Sequence, residues 1–495
     1  MKQPAVKSYF FGKGYRDAFR TIGRAWRYNM EDVSKHRDNI AYYVGGWFGK
    51  IWVVLFNVFA ILSVIFIGTA VFLAVTVIHL TLVFTLMLAV YALFSLVWIA
   101  DKLFLLYHRV FVACPKCRER FSKLIYFCPK CGIKHTNLAP GVYGILYRTC
   151  SGESGKEFCG RRLPATFFTG RGRLQSQCPV CEAKLAANEA VPVCIPVVGG
   201  TSVGKTCFIT AVMKVLIEEI APQNKLTIYF NEKKSPLYMK SKVDCEEMIR
   251  KFNSGIKQNK TSDFNPLAYN FFIKSKNLVP ERLMYIYDIA GEALFTEHGL
   301  TTQKQYDYSH GIIFLVDPLA IPKVRRQYQH CSDFSKHSAT ESDLNDAFES
   351  FLHNFQRISG LSTKRLSSIP CAIVINKTDA YDLENKIGFK AAAAAYFNPP
   401  KGKKFKKFED AMSHVARKWL LENEMSNFVK QVEMSFKHKK YFTCSSLGHV
   451  NYGKAFTPIR VFLPVKWIVG HFDKALYRRL KPYAVINHEG QVESA

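Results

Sequence analysis

The stretch Ile195-Pro-Val-Val-Gly199-Gly-Thr-Ser-Val-Gly204-Lys205-Thr206-Cys-Phe-Ile-Thr210 decides how the 495-residue chain is read. It fits G-x-x-x-x-G-K-[ST], with Gly199, Gly204, Lys205 and Thr206 in register. A β-branched run over 193–198 precedes it, and Phe208, Val212, Val215 and Leu216 then recur at helical spacing. Phosphate binding requires these residue types in this order. Glycines let the backbone curl so that several N–H groups converge, and the following helix offers its positive end. Lys205 would reach terminal phosphate oxygens, and the Thr206 hydroxyl would ligate Mg²⁺.

Downstream, three further strand ends carry motifs in order. Leu283-Met-Tyr-Ile-Tyr-Asp288-Ile-Ala-Gly291-Glu292 ends in D-x-x-G: Asp288 can hold Mg²⁺ through water, and the Gly291 N–H can contact a terminal phosphate. Ala372-Ile-Val-Ile-Asn376-Lys377-Thr-Asp379 ends in N-K-x-D. The Asp379 carboxylate can accept the N1 and N2 protons of guanine, a pair that adenine lacks. Lys377 would lie along the base, and Asn376 would tie this loop to the glycine loop. Phe442-Thr-Cys444-Ser445-Ser446-Leu447 offers backbone N–H groups to a guanine O6.

On these four motifs, residues 191–450 resemble the P-loop GTPases of the Ras-like, translation-factor-related TRAFAC class. The resemblance implies a Rossmann-like α/β sheet, GTP or GDP with Mg²⁺ as ligands, and a switch whose slow hydrolysis a protein partner completes. The expected nucleotide contacts are Gly199, Thr201, Ser202, Val203, Gly204, Lys205, Thr206, Cys207, Asp288, Gly291, Asn376, Lys377, Asp379, Ser445 and Ser446. Thr206 and Asp288 are the expected Mg²⁺ ligands. Glu292 stands where many members carry a water-orienting glutamine, and a carboxylate there would be repelled by a triphosphate. His298 is an alternative. Thr261 is the candidate switch-I threonine, and no arginine finger is assigned.

Upstream, Ile51–Ala100 carries no Asp, Glu, Lys or Arg. At about 1.5 Å per residue it would make about 75 Å of helix, against about 30 Å of hydrocarbon. Two transmembrane helices, near 50–73 and 78–101 with a turn around Thr76–His79, fit that length. His79 and Asn57 would serve the turn and packing. Basic flanks (Lys35, Arg37, Lys50; Lys102, Arg109) put both ends, and the body of the chain, in the cytoplasm. Before this hairpin, Phe11, Tyr15, Phe19, Ile22 and Trp26 recur at steps of three and four among Lys13, Arg16, Arg20, Arg24 and Arg27. The pattern suits a helix lying in lipid headgroups or, weakened by Gly14 and Gly23, a partly disordered basic arm. No cleavable signal peptide is recognisable.

Of the 14 cysteines, eight fall in knuckle-like groups. Cys114-Pro-Lys-Cys117 and Cys128-Pro-Lys-Cys131 predict one four-thiolate zinc ribbon. Cys150, Cys159, Cys178 and Cys181 form a second set with a stretched first knuckle: either a loop is inserted, or only part of the set binds zinc. The usage is that of a reducing compartment.

The organisation expected is therefore a basic amphipathic segment (1–48), a hairpin (49–101), one or two zinc ribbons (110–190), an α/β domain (191–450) and a C-terminal helix and tail (451–495). The combination resembles bacterial membrane-anchored GTPases with zinc ribbons associated with defence or conflict systems. Two other classes stay open: a nucleotide-holding scaffold without turnover, and a nucleic-acid-responsive NTPase suited to the formal charge of +29. The run Lys401-Gly-Lys-Lys-Phe-Lys-Lys407 would be a solvated loop or would meet anionic lipid or nucleic acid.

Overall fold

The computed structural model describes residues 3–11, 13–114, 117, 119–121, 124–136, 138–154, 157–185, 189–230, 239–240, 242–256, 267–288, 309–337, 340, 343–359, 362–480, 484–486 and 492–494. The chain forms two compact units. One comprises Met1–Arg109 with Lys123–Pro179, the other Val110–Ser122 with Val180–Ala495.

In the first unit, helix α1 (Lys13–Ala41) is followed by α2 (Trp47–Ser63), a π-helical turn (Val64–Gly68) and α3 (Thr69–Tyr107). The last three form one continuous 61-residue helix, long and apolar enough to cross a membrane by length and composition. The expected turn at Thr76–His79 does not occur; the helix runs straight through. The physical reason lies in the residues: Thr-Val-Ile-His has neither Gly nor Pro, and breaking the ladder would strand backbone N–H and C=O groups. The chain instead reverses at 42–46, so the neighbour lying along the apolar helix is α1. A polar seam joins them. Trp26 Nε1 donates to Thr76 Oγ1 at 3.0 Å, Asn29 Nδ2 to Thr69 Oγ1 at 3.4 Å, and His36 Nδ1 lies 2.7 Å from Asn57 Oδ1.

The C-terminal end of α3 is pinned by charge. Asp101, 1 % exposed, accepts from the Phe167 N–H at 2.8 Å and from Arg171 Nη1 at 3.2 Å. Arg171 also donates to the Leu138 and Ala165 carbonyls. Short strands follow. Ile125–Phe127 pairs antiparallel with both Lys134–His135 and Ser176–Gln177, and Tyr147–Thr149 pairs with Arg162–Pro164. The N-terminal arm joins this region through an Ala5–Cys150 bridge.

Among the described residues the second unit is built on an eight-stranded mixed sheet. Its strands are β1 (Val191–Val198), β2 (Thr227–Tyr229), β3 (Met239–Lys240), β4 (Leu267–Ser275), β5 (Leu278–Asp288), β6 (Ile312–Val316), β7 (Cys371–Ile375) and β8 (Lys439–Thr443). Their order is β2-β4-β5-β1-β6-β7-β8, with β3 pairing β4. From β5 to β8 all neighbours run parallel, while β4 is antiparallel to β5 and β2. Alternate residues face two cores, as period-2 strands require. Val193, Ile195 and Val197 pack on one side with Phe208 and Ile468, whereas Cys194 and Val198 pack on the other with Phe348 and Phe428. Burial on both faces explains the unbroken apolar runs of these strands.

The sequence pattern predicts strands at 193–198, 225–231, 267–274, 282–288, 310–316, 370–376 and 440–444, and all seven form, with ends shifted by up to four residues. The amphipathic stretches 205–219, 236–254, 342–358, 408–436 and 458–479 predict helices, and these differ more. The stretch 205–219 is α4 (Lys205–Lys214) continued by a π-turn (Val215–Ile220), and 408–436 divides into α7 (Phe408–Glu422) and α8 (Ser426–Ser435) at Glu424, whose φ is 68°. Between them in chain order lie α5 (Lys242–Asn253) and α6 (Leu344–Ser359), and α9 (Leu463–Phe472) follows β8. After 482 the chain pairs Ala484–Ile486 with Val492–Ser494.

Candidate functional site

The C-terminal ends of β1, β5, β6, β7 and β8 gather the motif residues at one edge of the sheet. The glycine loop leaves β1 with Gly199 at φ 152°, Ser202 at φ 56° and Gly204 at φ 92°. Two of these glycines are required by close approach. A Cβ on Gly199 would sit 2.7 Å from the Leu315 carbonyl oxygen, and one on Gly204 would sit 3.0 Å from Asn376 Nδ2. A side chain at 204 would thus press on the Asn376 amide, and the φ of 92° there strains any residue but glycine. Lys205 opens α4 and is 8 % exposed; its ammonium donates to the Gly199 and Gly200 carbonyls at 3.1 and 2.8 Å. A cation inside a curled backbone at a helix N-terminus is an arrangement that attracts phosphate-like anions.

Beside it, Thr206 Oγ1 donates to Asp288 Oδ2 at 2.7 Å. Asp288 ends β5 and is fully buried. A hydroxyl and a carboxylate so close are the hard oxygen donors that a divalent cation such as Mg²⁺ selects.

Asn376 ties three loops together. Its Nδ2 donates to the Val203 carbonyl at 3.1 Å, and its Oδ1 accepts from the Ser446 N–H at 3.0 Å and the Ser446 hydroxyl at 2.9 Å. Lys377, at φ 57°, sends its ammonium to the Ser202 carbonyl (3.2 Å) and to Asp317 Oδ2 (2.7 Å). Asp379 accepts from the Ser445 hydroxyl, which itself accepts from the Gly448 N–H at 2.7 Å. Thr201 lends its carbonyl to Thr340 Oγ1 at 2.8 Å, and Val203 and Cys207 are buried beneath the loop. Gly291, Glu292, Thr261 and His298 lie outside the described residues.

Sequence reasoning missed four contributors. Asp317, 2 % exposed, caps Leu319 through Oδ1, while its Oδ2 accepts from the Thr340 N–H as well as from Lys377. It directly follows β6, just as Asn376 directly follows β7, and a polar residue ending an apolar strand was the signal available. Thr340 carries no such signal. Glu384 and Arg460 form a brace: Arg460 Nη1 and Nη2 each meet a Glu384 oxygen at 2.6 Å, and Nε donates to the Thr443 carbonyl. This links the end of β8 to the loop after Asp379. Burial raises the Glu384 carboxyl, but Arg460 outweighs it and the net shift is downward. Nearby, burial pushes the His337 imidazole below its ordinary value against the upward pull of Asp379.

A depressed carboxyl stabilises the fold above its unfolded value of about 4.3, and that contribution is lost as pH falls through the lower folded value. Arg460→Met, which strands a mostly buried carboxylate, is expected to cost about 3–5 kcal/mol. The same variant should lose much of the acid-induced destabilisation that this pair contributes below about pH 4.3. Thermal melts of both proteins between neutral and acid pH check this. An unchanged neutral-pH melting temperature would remove the brace from the account.

The cysteines form two tetrads whose members differ from the expected sets. Cys114, Cys117, Cys178 and Cys181 make one, and Cys128, Cys131, Cys150 and Cys159 the other, with the ligand atoms of each set within 4.8 Å of one another. The first knuckle therefore joins the last, and the second joins the stretched pair. Strand pairing is the cause. Gln177 lies opposite Ile125, bringing the end of the cysteine-rich region back to its beginning and leaving the middle cysteines to close on Cys128 and Cys131. Gly152 permits that closure, since a Cβ there would sit 2.9 Å from Cys131 Sγ. Sulfur separations of 3.5 Å (Cys114–Cys181) and 3.6 Å (Cys128–Cys159, Cys131–Cys150) suit four thiolates around zinc at about 2.3 Å, which stand about 3.8 Å apart. They are too long for disulfides.

No protein-family model matches the chain, and no curated protein matches it.

Proposed function

We propose that this chain is a guanine-nucleotide-binding switch that hydrolyses GTP slowly and is held at a membrane by its apolar helix. One observation carries the reading: Asn376 simultaneously holds the glycine loop through Val203 and the 445–446 loop through Ser446. On this reading the glycine loop would cradle the phosphates and Asp379, beside it on the same sheet edge, would select guanine. The strand order, with β1 central and flanked by β5 and β6, supports the same reading.

On this proposal the cradle N–H groups and Lys205 hold the phosphates. Thr206 and Asp288 hold Mg²⁺, which would neutralise charge developing on the phosphate oxygens. Asn376 orients both loops, and Asp317 keeps the Lys377 ammonium directed at the cradle carbonyl of Ser202. Zinc in the tetrads would brace the cysteine-rich region. The output of such a protein is altered partner binding, with a protein effector or activator as the expected partner.

The test is a binding panel of GTP, GDP and ATP on the full chain, followed by single-turnover hydrolysis with and without membranes. GTP and GDP should bind at least tenfold tighter than ATP, and Mg²⁺-dependent phosphate release should be slow. Equal binding of ATP would remove guanine selection. Binding without any release would leave a nucleotide-holding scaffold. Turnover that requires nucleic acid and falls steeply with salt would favour a nucleic-acid-responsive NTPase.

A further inference from the structure

The nucleotide reading leaves the run after Pro400 without a role. Between the helix Phe389–Phe397 and α7 the chain makes an exposed excursion, turning at Gly402 with φ 80°. Lys401, Lys403, Lys404, Lys406 and Lys407 are all exposed on it. Among the described residues none of the five has an acidic partner. The next two acids, Glu409 and Asp410, are instead taken by Lys440 at 3.5 and 2.7 Å.

Positive charge continues onto α7. Lys403 Nζ lies 3.3 Å from His414 Nδ1, and burial together with Lys403, Lys418 and Arg417 pushes that imidazole down. Arg417 and Lys418 are themselves engaged by Glu433 and Glu422, so the uncommitted charge is that of the loop. Aromatic rings frame it. Phe405 lies 5.4 Å from His414, and Phe397 at the entrance is 76 % exposed.

We propose that this loop docks onto an anionic lipid surface, with Phe397 entering the headgroup layer and the five lysines facing lipid phosphates and carboxylates. Charge complementarity names the class of partner. Two features then favour lipid over nucleic acid. The same chain carries a 61-residue apolar helix of membrane-crossing composition, and on the membrane anchoring proposed above, on which this inference rests, that helix would hold a bilayer at high local concentration. The loop also presents lysines and an exposed phenylalanine rather than arginine forks, which suits an interface of mobile headgroups. The proposal does not depend on nucleotide binding.

The full chain is reconstituted into vesicles of phosphatidylcholine alone or with about 30 % phosphatidylserine, and amide exchange is followed over 397–408. Exchange there should slow at least fivefold in the anionic vesicles and return to the neutral-lipid rate at about 0.5 M salt. Replacing all five lysines, Lys401→Gln through Lys407→Gln, should abolish the protection while exchange around Ala416 and Leu420 stays unchanged. Phe397→Ala should weaken it without altering charge. The salt comparison uses the unaltered chain, so it stands even if a variant misfolds. Identical exchange in the two lipids would overturn the proposal. So would protection that appears on adding an oligonucleotide to neutral vesicles and not with phosphatidylserine.

Discussion

Serine at both Cys117 and Cys178 is expected to remove one zinc ion per chain, whereas serine at both Cys117 and Cys128 removes two. The first pair belongs to one tetrad and the second pair to both. Knuckles paired with their sequence neighbours would give the opposite outcome, so two double variants and a metal assay decide the connectivity. The effect should reach beyond stoichiometry. Structural zinc sites of this kind supply about 10–16 kcal/mol of apparent binding energy that is also folding energy. Strands of two or three residues cannot replace it. Loss of the second tetrad should therefore unfold the pairing of Tyr147–Thr149 with Arg162–Pro164, visible as rapid proteolysis between 140 and 165. Chelation of the unaltered protein should do the same. A chain that purifies without zinc and resists proteolysis would refute both statements.

The second large effect concerns the base. Asp379→Asn is expected to lower GTP affinity by about 10²-fold or more and to shift preference toward xanthosine triphosphate. A carboxylate accepting two N–H groups makes charge-assisted hydrogen bonds of about 1.5–3 kcal/mol each, and asparagine turns one acceptor into a donor. Xanthine, with a carbonyl where guanine has its amine, matches that donor. The exchange should be local, because the Ser445 hydroxyl that donates to Asp379 in the wild-type chain has an acceptor oxygen in asparagine too. Competition binding with the three nucleotides measures it. Undiminished GTP affinity would show that Asp379 does not read the base, and the switch proposal would lose its specificity determinant.

Much of the sheet was legible because strands buried on both faces must be apolar throughout, and runs such as Ile312–Val316 and Cys371–Ile375 have few other uses. Their polar terminators were legible for the same reason: Asp288 and Asn376 stand where apolar strands reach an edge. Arg460 and Glu384 were not. They lie 76 residues apart, and each reads as an ordinary surface charge until folding brings them to 2.6 Å. The long apolar segment was legible as membrane-compatible from its composition, but its shape was not. Length alone allowed two helices and a turn, whereas one helix satisfies every backbone group without placing a turn at Thr76–His79.

By itself the sequence determined which residues bear chemistry: eight thiols in knuckles, a glycine loop with its lysine and threonine, and carboxylate and amide groups at strand ends. These are local choices, set by backbone conformation and side-chain type within a few residues. Tertiary structure alone decided who meets whom. It joined the first cysteine knuckle to the last, laid α1 along the apolar helix, and put Asp317, Thr340 and Arg460 behind the candidate site. Spacing along a chain constrains close neighbours, but groups tens of residues apart meet only where strand pairing and burial leave one packing open.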